Sequence, residues 1–202
     1  MRRIRRFPVL TAIAVSLTAA CSASRLAGTG LLHAFWRDPS GLEHGQLWRL
    51  LTPVLVQSDP AWVVVEVLIL CGVVGALAER VFPRRRWISL YLVGALAGHS
   101  IGEFLQPHQG GTSVAFAGLL GGLAAEALLG ERPVKAVLRV EAALAIPLAI
   151  VDTAVGDIHG LPFLAGFAVA GVWRARDAAR ARASASASAT GRSPARGTAA
   201  AG

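Results

Sequence analysis

Charge is scarce in this 202-residue chain: 16% of its residues are charged and only 12 are acidic, against 54% hydrophobic. With a mean hydropathy of +0.55, that balance excludes an ordinary soluble domain. Cysteine is scarcer still. Cys21 and Cys71 both fall in apolar runs, which excludes a disulfide framework and a thiolate metal site. The loop histidines His33, His44 and His108 lack metal-ligand spacing. No internal repeat is visible, and no pair of matching interrupted helices points to a transporter.

What is present is apolar sequence in blocks. Six runs approach the roughly 20 residues needed to cross about 30 Å of hydrocarbon. They are residues 7–23, 60–78, 87–105, 113–129, 137–155 and 159–172. The reading is an all-α integral membrane protein. A net charge of +8 and a pI near 11.3 would fit a nucleic-acid binder, but the basic residues follow a membrane topology instead. Arg2, Arg3, Arg5 and Arg6 precede the first run, and Arg80, Arg84, Arg85 and Arg86 join the second to the third. Arg132, Lys135 and Arg139 lie around the junction of the fourth and fifth, and six arginines follow the sixth. These are 17 of the 20 basic residues, which places both termini in the cytoplasm of a multi-pass cell-membrane protein. Its expected contacts are with membrane lipid, not nucleic acid.

Residues 1–6 then form a basic cytoplasmic N-terminus and 7–174 the membrane domain. Residues 175–202 form a basic Ala/Ser/Arg-rich tail, expected to be disordered beyond a few helical turns. The first 21 residues, MRRIRRFPVLTAIAVSLTAAC, also have the basic start, apolar middle and small-residue exit of a secretory signal. The alternation of basic and non-basic loops favours an uncleaved first helix over a cleaved signal. Residues 24–59, rich in leucine and carrying Trp36 and Trp48, read as a segment lying in the outer membrane interface.

Two short outward connections, QPHQGGT and VGDI, bring Ser113 and His159 to the same side at similar depth. A serine hydroxyl needs a base within hydrogen-bond reach to act as a nucleophile, and histidine titrates near neutrality. The glycines before Ser113 permit a tight turn and leave amides free at a helix N-terminus, where developing negative charge is stabilised. Gly111 and Thr112 are therefore candidate oxyanion-supporting residues. The plainer alternatives are Ser113 as an N-cap and His159 as an interfacial or capping residue, with Asp157 as its local cap.

Three motifs, arriving in order, resemble those of rhomboid intramembrane serine proteases. GQLWRLLTPVLVQSD is similar to their interfacial loop, and GTSVAFAGLLGG to their G-x-S-x nucleophile motif, with Gly118 five residues after the serine. HGLPFLAGF is similar to their catalytic-histidine helix, with Ala165 and Gly166 six and seven residues on. The stretch ALAERVFPRRRWISLYLVGALAG resembles the hairpin of their second and third spans. The resemblance covers about residues 45–172. It implies a six-transmembrane-helix rhomboid-like bundle with an interfacial first loop, no metal, no cofactor and transmembrane protein substrates. It further implies Ser113 as nucleophile and His159 as general base and acid.

Around this pair the chain departs from the family pattern. Aligned on WRLLTP and ALAER, Trp62 and Glu66 stand where active members commonly carry a histidine and an asparagine that help stabilise the oxyanion. Ala117 stands where an aromatic ring stacks on the histidine, Val114 where a glycine follows the serine, and Phe116 is expected to face elsewhere. A carboxylate inside a span is expected to be paired, protonated or functional. At about 1.5 Å per residue, Glu66 and His99 lie at a similar depth, so a Glu66–His99 contact is expected. A neutral Glu66 would donate a hydrogen bond in place of the missing asparagine. Glu103, Glu126 and Asp152, nearer span ends, read as snorkelling or capping. The leading function is hydrolysis of a peptide bond within or beside a transmembrane helix. The alternative is a catalytically inactive rhomboid-like protein that binds such helices.

Overall fold

The computed structural model describes residues 7–24, 30–131 and 133–190. Of the basic residues used above for topology, Arg2, Arg3, Arg5, Arg6 and Arg132 lie outside the described residues, as does the tail from 191 onward. Among the described residues there are helices and no strands. Helix α1 (Val9–Ala23) is followed by two short helices, α2 (Leu31–Phe35) and α3 (Pro39–Glu43), and by 3-10 turns at Leu47–Leu50 and Thr52–Leu55. Then come α4 (Ala61–Val81), α5 (Arg84–Leu105), α6 (Ser113–Leu129), α7 (Ala136–Ala154) and α8 (Gly160–Thr190). Pro60 and Pro83 stand directly before α4 and α5, where a fixed φ and a missing N–H cost nothing.

By length and composition α4 and α5 are able to cross a membrane, while α1 and α6 are apolar but shorter, at 15 and 17 residues. The other two helices that the sequence reading counts as spans do not meet that measure. Helix α7 carries Arg139, Glu141 and Asp152 within its 19 residues, and the apolar part of α8 ends at Trp173. Helix α8 itself runs on to Thr190, so the trailing helical turns expected after the sixth run extend over residues 175–190. Alanine dominates this stretch, and it loses the least of any residue in a helix.

Helix α6 is central, packed on α4, α5, α7 and α8. Phe116 and Leu119 join Trp87 and Leu90 of α5 and Cys71 and Ala78 of α4 in one apolar core. Trp87 stacks on Tyr91 with ring centroids 5.2 Å apart, and both rings meet Phe116 edge-on, which commits Phe116 to the interior. Helices α5, α6 and α8 approach to backbone contact. A Cβ on Gly118 would lie 2.6 Å from the Leu90 carbonyl oxygen and 2.7 Å from Gly94 Cα, and one on Gly166 would overlap the Gly118 carbonyl. Hydrogen alone fits at these points, the small-residue contact that lets apolar helices close.

The two ends of the bundle differ. At one end the Thr11 N–H and hydroxyl both donate to the Glu79 carboxylate, at 2.5 and 2.8 Å, tying the start of α1 to the end of α4. Arg86 pairs with Asp177 at 2.7 Å and sits 5.3 Å over the Trp173 ring, while Arg174 pairs with Glu126 at 3.7 Å. The other end gathers residues 30–60 with the α5–α6 connection, and the α7–α8 connection meets it through Ser113 and His159. Glu103 lies at that end and neither snorkels nor caps. It is 2% exposed, and its carboxyl oxygens have no hydrogen-bond partner among the described residues.

Candidate active site

Two buried arginines hold the first connection. Arg49 Nη1 donates to the carbonyls of His33 and Trp36 at 3.1 and 3.0 Å, and Arg49 Nε to Gln46 Oε1 at 2.6 Å. Arg37 lies across Gly102 in the last turn of α5 and donates Nε to the Gln106 carbonyl at 2.9 Å. Its Nη1 meets His99 Nδ1 at 3.2 Å. Burial pulls the Arg37 pKa below the ordinary guanidinium value, and nearby Glu103 acts against that. The Arg37 N–H donates to the Gln109 carbonyl, and the Arg37 carbonyl accepts from His108 N–H. Finally Gly111 N–H donates to the Pro53 carbonyl at 3.0 Å. These bonds seat the turn that delivers Ser113 to the first position of α6.

On the facing side, α7 stops at Gly156, whose φ of +85° turns the chain back at no Cβ cost. Asp157 N–H donates to the Asp152 carbonyl at 2.8 Å, which fixes the connection. Asp157 Oδ1 then accepts from both the backbone N–H of His159, at 2.7 Å, and its Nδ1, at 2.9 Å. His159 Nε2 lies 2.8 Å from Ser113 Oγ. A carboxylate only accepts, so Nδ1 carries the ring proton and Nε2 turns its lone pair to the serine hydroxyl. Asp157 caps the start of α8 locally and also orients the imidazole. The sequence reading had the first role and missed the second, for which the D-x-H spacing was the available signal. Orientation matters here because Ala117 supplies no ring to stack on His159. Both Asp157 and His159 side chains are 44% exposed, so the cluster is open at the bundle surface.

The supporting shell expected from sequence needs correction. Trp62 is 72% exposed and Glu66 is also exposed, both on the outer side of α4. The reason is helical phase. Cys71, Gly75 and Ala78 turn inward, and at about 100° per residue Trp62 lies roughly 180° and Glu66 roughly 140° around the helix from Cys71. His99 is fully buried and its Nδ1 faces Arg37; among the described residues no hydrogen bond or ion pair joins it to Glu66. The Gly111 N–H, given to Pro53, is not free for an oxyanion. Thr112 is buried with its Oγ1 3.2 Å from the Tyr91 hydroxyl, and its carbonyl accepts from Ala115 and Phe116. Outward placement makes Trp62→Ala and Glu66→Ala expected to leave any Ser113-dependent rate within about threefold of the parent, since surface changes cost about 0.5 kcal/mol or less. A loss beyond tenfold in either variant, measured on the purified protein, would return these side chains to the site.

A family model described as Rhomboid domain matches residues 44–173, a stretch that includes Ser113, Asp157 and His159. No curated protein matches the chain.

Proposed function

The chain belongs to the rhomboid family, and we propose that within it this protein is an intramembrane serine endopeptidase cleaving transmembrane-segment substrates. One observation carries the reading: Ser113 Oγ, His159 Nε2 and Asp157 Oδ1 form a continuous hydrogen-bonded line, at 2.8 and 2.9 Å. In the acylation step Ser113 Oγ attacks the scissile carbonyl carbon while His159 Nε2 takes the hydroxyl proton. The imidazolium so formed is held by the Asp157 carboxylate and returns the proton to the leaving amine as the C–N bond breaks. Water, deprotonated by the same nitrogen, then attacks the acyl carbon, and His159 returns the proton to Ser113 Oγ as the ester C–O bond breaks. The Ser113 and Val114 N–H groups at the start of α6, ahead of those that donate to the Thr112 carbonyl, face the developing oxyanion together with the helix dipole.

A serine-directed fluorophosphonate tests this. Labelling of the purified protein that is lost in Ser113→Ala, together with cleavage of a transmembrane model substrate by the parent alone, is the expected result. Absence of Ser113-dependent labelling would favour the second reading, a rhomboid-like protein that binds transmembrane helices without cutting them. That reading draws on the outward-turned Trp62 and Glu66 and on Ala117.

In the proposed topology all six longer helices cross the bilayer, with both termini in the cytoplasm and the Arg86–Asp177 end facing the same compartment. Residues 30–59 lie against the outer interface, a placement supported by Leu47 and Trp48, which are 66% and 54% exposed. Reporter fusions at Pro83 and at the C-terminus are expected to read cytoplasmic, and an outward C-terminus would overturn the arrangement.

A further inference from the structure

With Trp62 and Glu66 turned away, the site has no side chain at the positions where the family supplies its oxyanion donors. The first connection brings in another. Gln57 follows the second 3-10 turn and is 1% exposed, an unusual state for a primary amide. Its Nε2 has no hydrogen-bond partner among the described residues. Yet its Oε1 lies 3.3 Å from the point a Cβ on Gly111 would occupy, and Ser113 Oγ lies 3.6 Å from that same point. The carboxamide therefore borders the small space over Gly111 that the serine hydroxyl also borders. A buried amide nitrogen left without a partner is costly, and such groups in folded proteins usually answer to a ligand or a reaction.

The residue is also held firmly. Gln57 N–H donates to Ser22 Oγ at 3.0 Å, Ser22 Oγ donates to the Thr18 carbonyl at 2.6 Å, and Thr18 Oγ1 donates to the Val54 carbonyl at 2.9 Å. Helix α1 thus clamps residues 54–57 on both sides, and Val56 beside them is fully buried. Since Nε2 forms no hydrogen bond in this state, a half-turn of the carboxamide presents its NH₂ to the Gly111 space without breaking one there. A donor fixed in advance on a rigid support is what stabilises an oxyanion without reorganisation.

We propose that Gln57 donates a side-chain hydrogen bond to the oxyanion formed when Ser113 attacks the scissile carbonyl, in the place of the donors that the outward rotation of α4 removes. This rests on the protease reading. As the carbonyl carbon becomes tetrahedral, its electron pair moves onto oxygen, and the Gln57 NH₂ and a backbone N–H of the first α6 turn share that charge. No proton leaves Gln57.

The full chain in proteoliposomes, with a transmembrane model substrate and a fluorophosphonate probe, tests the assignment. Gln57→Leu keeps the volume and removes the donor. It is expected to lower kcat by about 10²- to 10³-fold with KM little changed, and to slow Ser113 labelling in parallel, while the thermal midpoint is kept. Gln57→Glu has the same shape but donates only when protonated, so its activity relative to the parent should rise as pH falls, a signature a merely structural role would not produce. Gln57→Leu cleaving within threefold of the parent, or Gln57→Glu tracking the parent at every pH, would overturn the assignment while leaving the protease reading intact. A parent that neither cleaves nor labels at Ser113 would overturn both. Should Gln57→Leu fail to fold, the pH profile of Gln57→Glu decides alone.

Discussion

Replacing His159 by alanine is expected to lower kcat/KM for a transmembrane model substrate by about 10⁴-fold or more, and adding Ser113→Ala is expected to lower it no further. Both expectations follow from the 2.8 Å contact between Ser113 Oγ and His159 Nε2. A nucleophile and its base act as one unit, so removing either leaves only binding and oxyanion stabilisation, and removing both leaves the same remainder. Asp157→Asn should be milder. The asparagine keeps the size of the aspartate but no longer stabilises the imidazolium, and it is free to hold the ring in the wrong tautomer. Because Asp157 is half open to its surroundings, solvent screens part of its charge, and a loss of roughly 10²-fold is expected, well short of the loss seen for a buried triad aspartate. Steady-state kinetics on these variants and on Ser113→Ala alone check this. If the single losses were to multiply in the double variant, Ser113 and His159 would not be working as a pair.

The second large effect is on folding. Gly118→Val or Gly166→Val is expected to abolish the folded bundle, since a side chain at either point runs into main chain. At Gly118 it meets the Leu90 carbonyl and Gly94 Cα, and at Gly166 the Gly118 carbonyl itself. Neither obstacle is the end of a flexible side chain, so α5, α6 and α8 would have to separate, at a cost of about 4–5 kcal/mol or more. Separation would also carry His159, one residue before α8, away from Ser113 at the start of α6. Gly72→Ala in α4 is the control. No heavy atom lies within 4 Å of the Cβ it would add, and alanine in a helix interior is favoured over glycine by about 0.5–1 kcal/mol. Size-exclusion profiles and thermal midpoints in detergent separate the cases. A monodisperse Gly166→Val protein with the parent's midpoint would show that the three helices are not in backbone contact.

Much of this protein is written in one dimension. Apolar blocks and their proline and glycine boundaries are local signals, and they mark α6 at Ser113–Leu129 in the sequence as in the structure. They mark the other long helices to within a few residues, apart from the extension of α8, because hydrophobic composition and helix-breaking residues act where they stand. The glycine-rich approach to Ser113 and the short run holding His159 are local too, and the ordered motifs tie them to one family. What the sequence could not reveal depends on how each helix is rotated about its axis and on which loop meets which. Glu66 looked like an intramembrane acid paired with His99, but the phase of α4, set by the packing of Cys71, Gly75 and Ala78, turns it outward. His99 instead meets Arg37, 62 residues away in the chain, because the first connection folds over the end of α5. Gln57 comes to the space over Gly111 that Ser113 also borders for the same reason, through bonds from α1 and the α5–α6 turn. Composition and periodicity determine that helices form and roughly where they end. Only close packing, which admits one rotation for each helix and one path for each connection, decides which polar atoms share the space around the serine.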